Sequence, residues 1–181
     1  MIINLHDNQR IPLSSKTRNL MTKKYPYYGA ASIMDYVENY IFDGTYLLLG
    51  EDGTVSDSNG YPILQYVYGK FWVNNHAHVI SGKNGFSVEI LYLLFKNINI
   101  TSIITGAVQQ KINQQNLKKL KILIPDKNSL ENINKIIQPI FKYIRLINIE
   151  NKRLQQIKKI ILPKLLSGEI DISNIELGEL L

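Results

Sequence analysis

Cysteine is missing from the chain altogether. That removes disulfide bridges, a thiolate nucleophile and any cysteine-based zinc site. Long apolar runs are missing too: none nears the roughly 20 residues that a membrane-spanning helix requires, and the opening MIINLHDNQR lacks the basic start and apolar core of a secretory leader. The expectation is a cytoplasmic protein with no membrane association. Glycine patterns that cradle phosphates are absent, since neither GxxxxGK[ST] nor a GxGxxG joining strand to helix occurs. Acidic residues are scarce in one region. Residues 127–164 hold 9 basic and only 2 acidic side chains, residues 165–181 hold 4 acidic and no basic ones, and residues 1–126 hold 12 basic and 9 acidic.

What is present fits a folded chain. Its 181 residues, 45% hydrophobic and 20% charged, have room for one globular domain and an appended element. The net charge of +6 makes polyanions plausible partners, and it is concentrated in one segment.

Aromatic and β-branched runs bounded by Gly, Asn and Asp predict strands at Thr45–Gly50, Tyr61–Gly69, Lys70–Asn75 and Ala77–Ser81, with a further strand at Leu120–Pro125. The stretch Glu51–Gly60 reads as an exposed, turn-rich loop. In Ser87–Ile98 the apolar residues Ile90, Leu91, Leu94 and Phe95 follow a helical stripe. After Pro125 apolar residues recur at Leu130, Ile133, Ile137, Ile140, Ile144, Ile147, Leu154, Ile157 and Ile161, which describes one long helix over Ser129–Leu162 with Asn128 and Glu131 as a capping box. Such a helix extends roughly 50 Å at 1.5 Å per residue. Its seam needs a partner helix, although polar Asn151 and Lys158 depart from an ideal heptad. Pro139 predicts a kink, Pro163 a bend and Gly168 the helix end. Beyond it a short strand at Glu169–Ile172 and a loose end are expected.

Three clusters invite a chemical reading. His76 and His78 in NNHAH would share a strand face as a metal pair does, but His6 is the only other histidine, and hydrogen-bonded structural roles are the simpler reading. Glu51 and Asp52 offer paired carboxylates without a nucleophile beside them, so a turn is the safer interpretation. The aromatic run YPYYGA behind Lys23 and Lys24, and the amides and lysine of Gln109, Gln110, Lys111, Asn113, Gln114 and Gln115, suit phosphate and base contact. Tyrosines packed in a core and amides on a solvated surface are their ordinary alternatives. No catalytic constellation is found and no metal or cofactor is expected.

Six stretches carry a resemblance: NQRIPLS (8–14), YPYYGAASIMDYV (25–37), LLLGEDG (47–53), GKFWVNNHAHVI (69–80), TGAVQQKINQQNLKKLKILIP (105–125) and LPKLLSGEI (162–170). In this order they resemble the specificity subunits of Type I restriction-modification systems. The resemblance implies a mixed α/β fold: a small globular target-recognition domain with a β-rich core over 1–126, a long C-terminal helix over 127–168 that pairs antiparallel with a second helix, and a tail over 169–181. Specificity subunits read split DNA targets through two recognition domains, and this chain holds one. A homodimer through the helix, reading an inverted repeat, or pairing with a different half-subunit would complete it.

The resemblance further implies double-stranded DNA as ligand, no catalysis by this chain, and methylation and restriction subunits as partners that bring their own cofactors. Arg10, Arg18, Lys23, Lys24, Lys70 and Lys111 would position the domain on phosphates, while Tyr27, Tyr28, Asn74, Gln109, Gln110 and Asn113 would sample base edges. Helix pairing would fall to Ile133, Ile137, Ile140, Ile144, Ile147, Leu154, Ile157 and Ile161. A helix of roughly 50 Å corresponds to about 15 base pairs at 3.4 Å each, so the pair would act as a ruler. The basic face, with Lys135, Lys142, Arg145, Lys152, Arg153 and Lys159, would hold methylation subunits, lie near DNA, or simply be solvated. A coiled-coil interaction module with a protein-binding head is the alternative from another class, and a hydrolase using NNHAH a weaker one.

Overall fold

Leu47, Leu48 and Leu49 are all fully buried although neighbouring side chains in a strand point to opposite faces. Both faces of the sheet are therefore covered, which accounts for an unbroken apolar run where a half-exposed strand would alternate. In the computed structural model, which describes residues 1–106 and 108–170, these leucines lie at the centre of a six-stranded sheet. Its strands are β1 (Ile3–Leu5), β2 (Tyr25–Tyr28), β3 (Ile33–Val37), β4 (Phe42–Gly50), β5 (Leu64–Val73) and β6 (Ala77–Gly82). They run in the order β1-β6-β4-β5-β2-β3. All neighbours are antiparallel except β2 and β5, which pair in parallel through Tyr27 with Trp72 and Tyr28 with Val73. Pro26 precedes these two pairs, a position where a missing N–H is tolerated.

One face of the sheet presents Leu47, Leu49 and Ile80 to Ile90, Leu91 and Phe95 of helix α2 (Val88–Lys96), with Ile100, Ile112, Leu117 and Leu130 completing that core. The other face packs Phe42, Leu48, Val67, Phe71, Val73 and Val79 together. Ser87 caps α2 by accepting from the Ile90 amide at 3.3 Å. Short helices α1 (Ser15–Asn19) and α3 (Gln114–Lys119) open on Ser14 and Asn113, whose side chains accept from Thr17 and Asn116 amides.

Several expectations change here. The strands expected at Tyr61–Gly69 and Lys70–Asn75 merge into one shorter strand, Leu64–Val73, because Gly69, at φ +79°, pairs with Gly44 and keeps the β4–β5 ladder in register through the apparent boundary. The amide-rich segment contains a helix, α3. Leu120–Pro125 forms no strand: Leu120 and Ile122 pack against the first core, yet no neighbouring strand pairs with them. The loop after β4 is not wholly exposed, since Val55 is completely buried.

Helix α4 runs Lys127–Leu166 and passes through Pro139 and Pro163. Its cap is Asp126 rather than Asn128. The Asp126 carboxylate accepts from the Asn128 and Ser129 amides, both at 3.0 Å, and from the Ser129 hydroxyl at 2.6 Å. Its pKa is lowered chiefly by the Ser129 hydroxyl and amide. Gly168, at φ +73°, follows the helix end and donates to the Leu165 carbonyl. Glu169 and Ile170 are not in a strand, and the rest of the expected Glu169–Ile172 strand lies outside the described residues.

Two compact units make up the chain, Met1–Gln138 and Pro139 onward. The first therefore includes the opening turns of α4, where Leu130 enters the core and Asn134 donates to the Gly85 carbonyl at 2.7 Å. In the second, helical unit, Ile140, Ile144, Ile147, Leu154, Ile157 and Ile161 are all exposed. Among the described residues no helix is long and apolar enough to cross a membrane.

Candidate nucleic-acid interface

Where β4 ends and β6 begins, the chain buries charge. His78 is completely buried in β6, its Nδ1 2.6 Å from Asp7 Oδ2 and its Nε2 2.7 Å from the Ile112 carbonyl oxygen. Asp7 also accepts from the Val79 amide at 2.9 Å and from Gln114 Nε2 at 2.6 Å. Arg10 donates through one terminal nitrogen to Glu51 and to the Ala77 carbonyl, both at 2.6 Å, and through Nε to the Asp7 carbonyl at 3.0 Å. Burial pushes the Asp7 carboxyl up, but the hydrogen bond and charge of His78, the Val79 amide and Arg10 together bring it below the usual carboxylate value.

Asp7, Glu51 and His78 bring donor atoms within 4.8 Å of one another, as a metal site does. Here the Arg10 guanidinium supplies the positive charge, and both imidazole nitrogens already have oxygen partners. The donor set is consumed by the fold. His76, which precedes β6, bonds instead to Asp52, so the two histidines of NNHAH do not converge.

This buried network ties the 105–113 segment to the sheet. The Ile112 amide donates to the Glu51 carbonyl at 2.8 Å, Thr105 and Lys111 exchange backbone bonds at 2.8 and 2.7 Å, and the Gly53 amide donates to the Gln110 carbonyl at 3.0 Å. Gly106 sits at φ +89°, and a β-carbon there would lie 2.1 Å from the Gln109 carbonyl oxygen. The turn is therefore closed by backbone contacts that only glycine permits. Its side chains face outward: Gln109, Gln110 and Lys111 are exposed, with Gln109 reaching Asp52 at 3.4 Å and Lys111 lying 3.9 Å from Glu51.

A second surface alternates cations with aromatic rings. Lys24 lies over Tyr25 at 5.1 Å, Tyr25 meets Tyr40 edge-on at 5.1 Å, and Lys70 lies over Tyr40 at 4.6 Å. Beside it Lys23 and Arg18 share Asp35, at 2.9 and 3.0 Å. The Lys23 bond, the Tyr36 amide and the Arg18 bond hold that carboxyl near a pKa of about 2.

The twelve residues named from the sequence thus separate by position. Lys23, Lys24, Lys70, Gln109, Gln110 and Lys111 are exposed. Arg10 and Arg18 have mostly covered side chains with internal carboxylate partners, and Tyr27 and Asn74 are buried. The Tyr27 hydroxyl accepts from the Leu13 amide, and Asn74 Oδ1 accepts from the His76 amide. Tyr28 is half-buried against the second core, its hydroxyl pushed up to about 12 by burial with Tyr36 and Tyr68 adding. Asn113 is spent on capping α3. Sequence reading overlooked Tyr40 and the Asp7–Gln114 bond; the former carried no signal beyond an isolated tyrosine, and the latter joins residues 107 positions apart.

A mixed sheet, a buried charge network and a long apolar-striped helix are thus the features that a comparison has to match. Residues 2–159 match the Type I restriction modification DNA specificity domain, and the chain belongs to that family. A Haemophilus influenzae chain described as a type I restriction enzyme specificity subunit is 38% identical over 136 residues, covering 75% of this chain and 34% of that relative. The EcoprrI specificity subunit of Escherichia coli is 26% identical over 101 residues, 56% of this chain and 24% of its own. The chain thus spans about a third of the length of the first of these curated relatives. The crystal structure of a Type I restriction-modification S subunit from M. genitalium superposes with a TM-score of 0.64 at 16% identity, over 92% of this chain and 44% of that one, which shows a shared fold.

Proposed function

We propose that the chain is a DNA-sequence reader that recognises one half of a bipartite target within a Type I restriction-modification assembly, without catalysis of its own. The observation that carries this reading is the turn closed by Thr105 and Lys111, bonded through Gln110 and Ile112 to the backbone of Glu51 and Gly53 while Gln109, Gln110 and Lys111 are exposed. Amides can pair bidentately with adenine, and lysine can meet guanine acceptors or phosphate. The Lys24–Tyr25–Tyr40–Lys70 surface, with Lys23, supplies positioning charge on phosphates. Arg10, Arg18, Tyr27, Asn74 and Asn113 act as the framework beneath.

The exposed apolar stripe of α4 supports pairing with the same helix of a second copy, or of a different half-subunit, so that two recognition domains are held at a fixed separation. Methylation and restriction subunits then dock on this frame, the exposed basic residues Lys135, Lys142, Lys152, Arg153 and Lys159 offering one surface. Cofactors and bond-breaking chemistry belong to those subunits. Selection of bound duplexes from a random pool tests the reading: enrichment of a defined sequence supports it, and equal affinity for random and selected duplexes favours a protein-binding head.

A further inference from the structure

Between the N-terminal strand, the end of α2 and the 117–124 segment the globular unit has an apolar groove of about 340 Å³, lined by Ile3, Phe95, Leu117, Leu120, Ile122 and Ile124, with Lys118 also in its wall. Apolar surface continues past it, since Leu123 is 96% and Ile124 53% exposed. Lys118 is the charged side chain of the groove's lining. Lys118, Lys119 and Lys121 are exposed, and among the described residues Lys118 has no carboxylate partner. A groove of this kind asks for an apolar segment carrying acids.

The chain contains one such segment. Residues 169–181, EIDISNIELGELL, hold four acids and no base, with Ile170, Ile172, Ile175, Leu177, Leu180 and Leu181 between them. We propose that this segment of a second copy fills the groove, its isoleucines and leucines entering the apolar floor and its carboxylates meeting Lys118 and Lys121. A second copy is the source because, in the chain, the groove's lining precedes α4 and this segment follows it. Antiparallel pairing of α4 brings the end of one helix to the beginning of the other. The inference rests on that pairing, and its test reports on the two separately.

The absence of native cysteine makes disulfide trapping in the full chain unambiguous. Ile124→Cys and Leu177→Cys chains are mixed under mild oxidation, with Met34→Cys, also exposed at 55%, as the control partner for Leu177→Cys. The expected result is a crosslinked heterodimer forming at least ten-fold faster with Ile124→Cys than with Met34→Cys, and slowed several-fold by Lys118→Glu with Lys121→Glu. Sedimentation of the same chains measures helix pairing independently. Dimers that crosslink no faster at 124 than at 34 overturn the docking and leave the pairing intact. A monomeric chain, or a crosslink that forms only within an Ile124→Cys/Leu177→Cys double variant, overturns docking between copies.

Discussion

Asp7 and His78, 71 positions apart, face each other at 2.6 Å inside the domain, and each has a further bond to the 105–114 segment: Asp7 to Gln114, His78 to the Ile112 carbonyl. The pair links the N-terminal segment to the strand end beneath the proposed base-reading turn. Removing one partner leaves buried hydrogen-bonding groups unsatisfied, at a cost of about 1–3 kcal/mol for each. Asp7→Ala is therefore expected to lose several kcal/mol in urea unfolding, with a larger loss than Asp35→Ala, whose partners are nearer solvent.

The same pair sets an acid limit. Since the Asp7 pKa is lower folded than its ordinary 3.8, its contribution is complete above that value and is lost as pH falls below it toward the folded value. Unfolding free energy measured from pH 6 to pH 3 is expected to fall more steeply at the acid end in the parent chain than in Asp7→Asn. Equal slopes would remove Asp7 from the account.

Gly106→Ala tests whether the turn is held rigidly. Its φ of +89° and the 2.1 Å approach to the Gln109 carbonyl oxygen leave no room for a methyl group. Backbone strain of this kind costs about 1–3 kcal/mol. Selective DNA binding is expected to drop by more than ten-fold while circular dichroism of the sheet is unchanged.

Charge and base contacts should separate by their salt dependence. Lys70→Ala and Lys111→Ala are expected each to reduce the slope of log affinity against log salt by about 1, across all sequences. Gln109→Ala or Gln110→Ala should keep the slope and relax preference at one base position, by about 1–3 kcal/mol for a bidentate contact.

Helix pairing is tested on the exposed stripe. Ile144→Asp with Ile157→Asp is expected to shift the sedimentation coefficient from dimer to monomer at micromolar concentration, while Lys142→Asp on the other face has little effect.

Much of this was legible in the residues. Steps of three and four from Leu130 to Ile161 located α4 because periodicity over many turns outweighs two prolines, and LLLG located β4 because burial on both faces needs an unbroken apolar run. The cap was missed because Asp126 and Asn128 are both good caps, and only the hydrogen bonds choose between them. Leu120–Pro125 misled for a related reason: a strand-like composition makes a strand only where a neighbour pairs. Within the candidate site, exposed lysines and amides were readable as residue types. Which of them are free to touch a ligand depends on contacts such as Arg10 to Glu51 across 41 positions, which no local pattern encodes.

The most direct measurement of the central claim is sequencing of duplexes retained by the purified chain from a random pool. The account predicts enrichment of one short defined block, recurring as an inverted repeat at constant spacing when two copies pair. A retained pool as random as the input would contradict it.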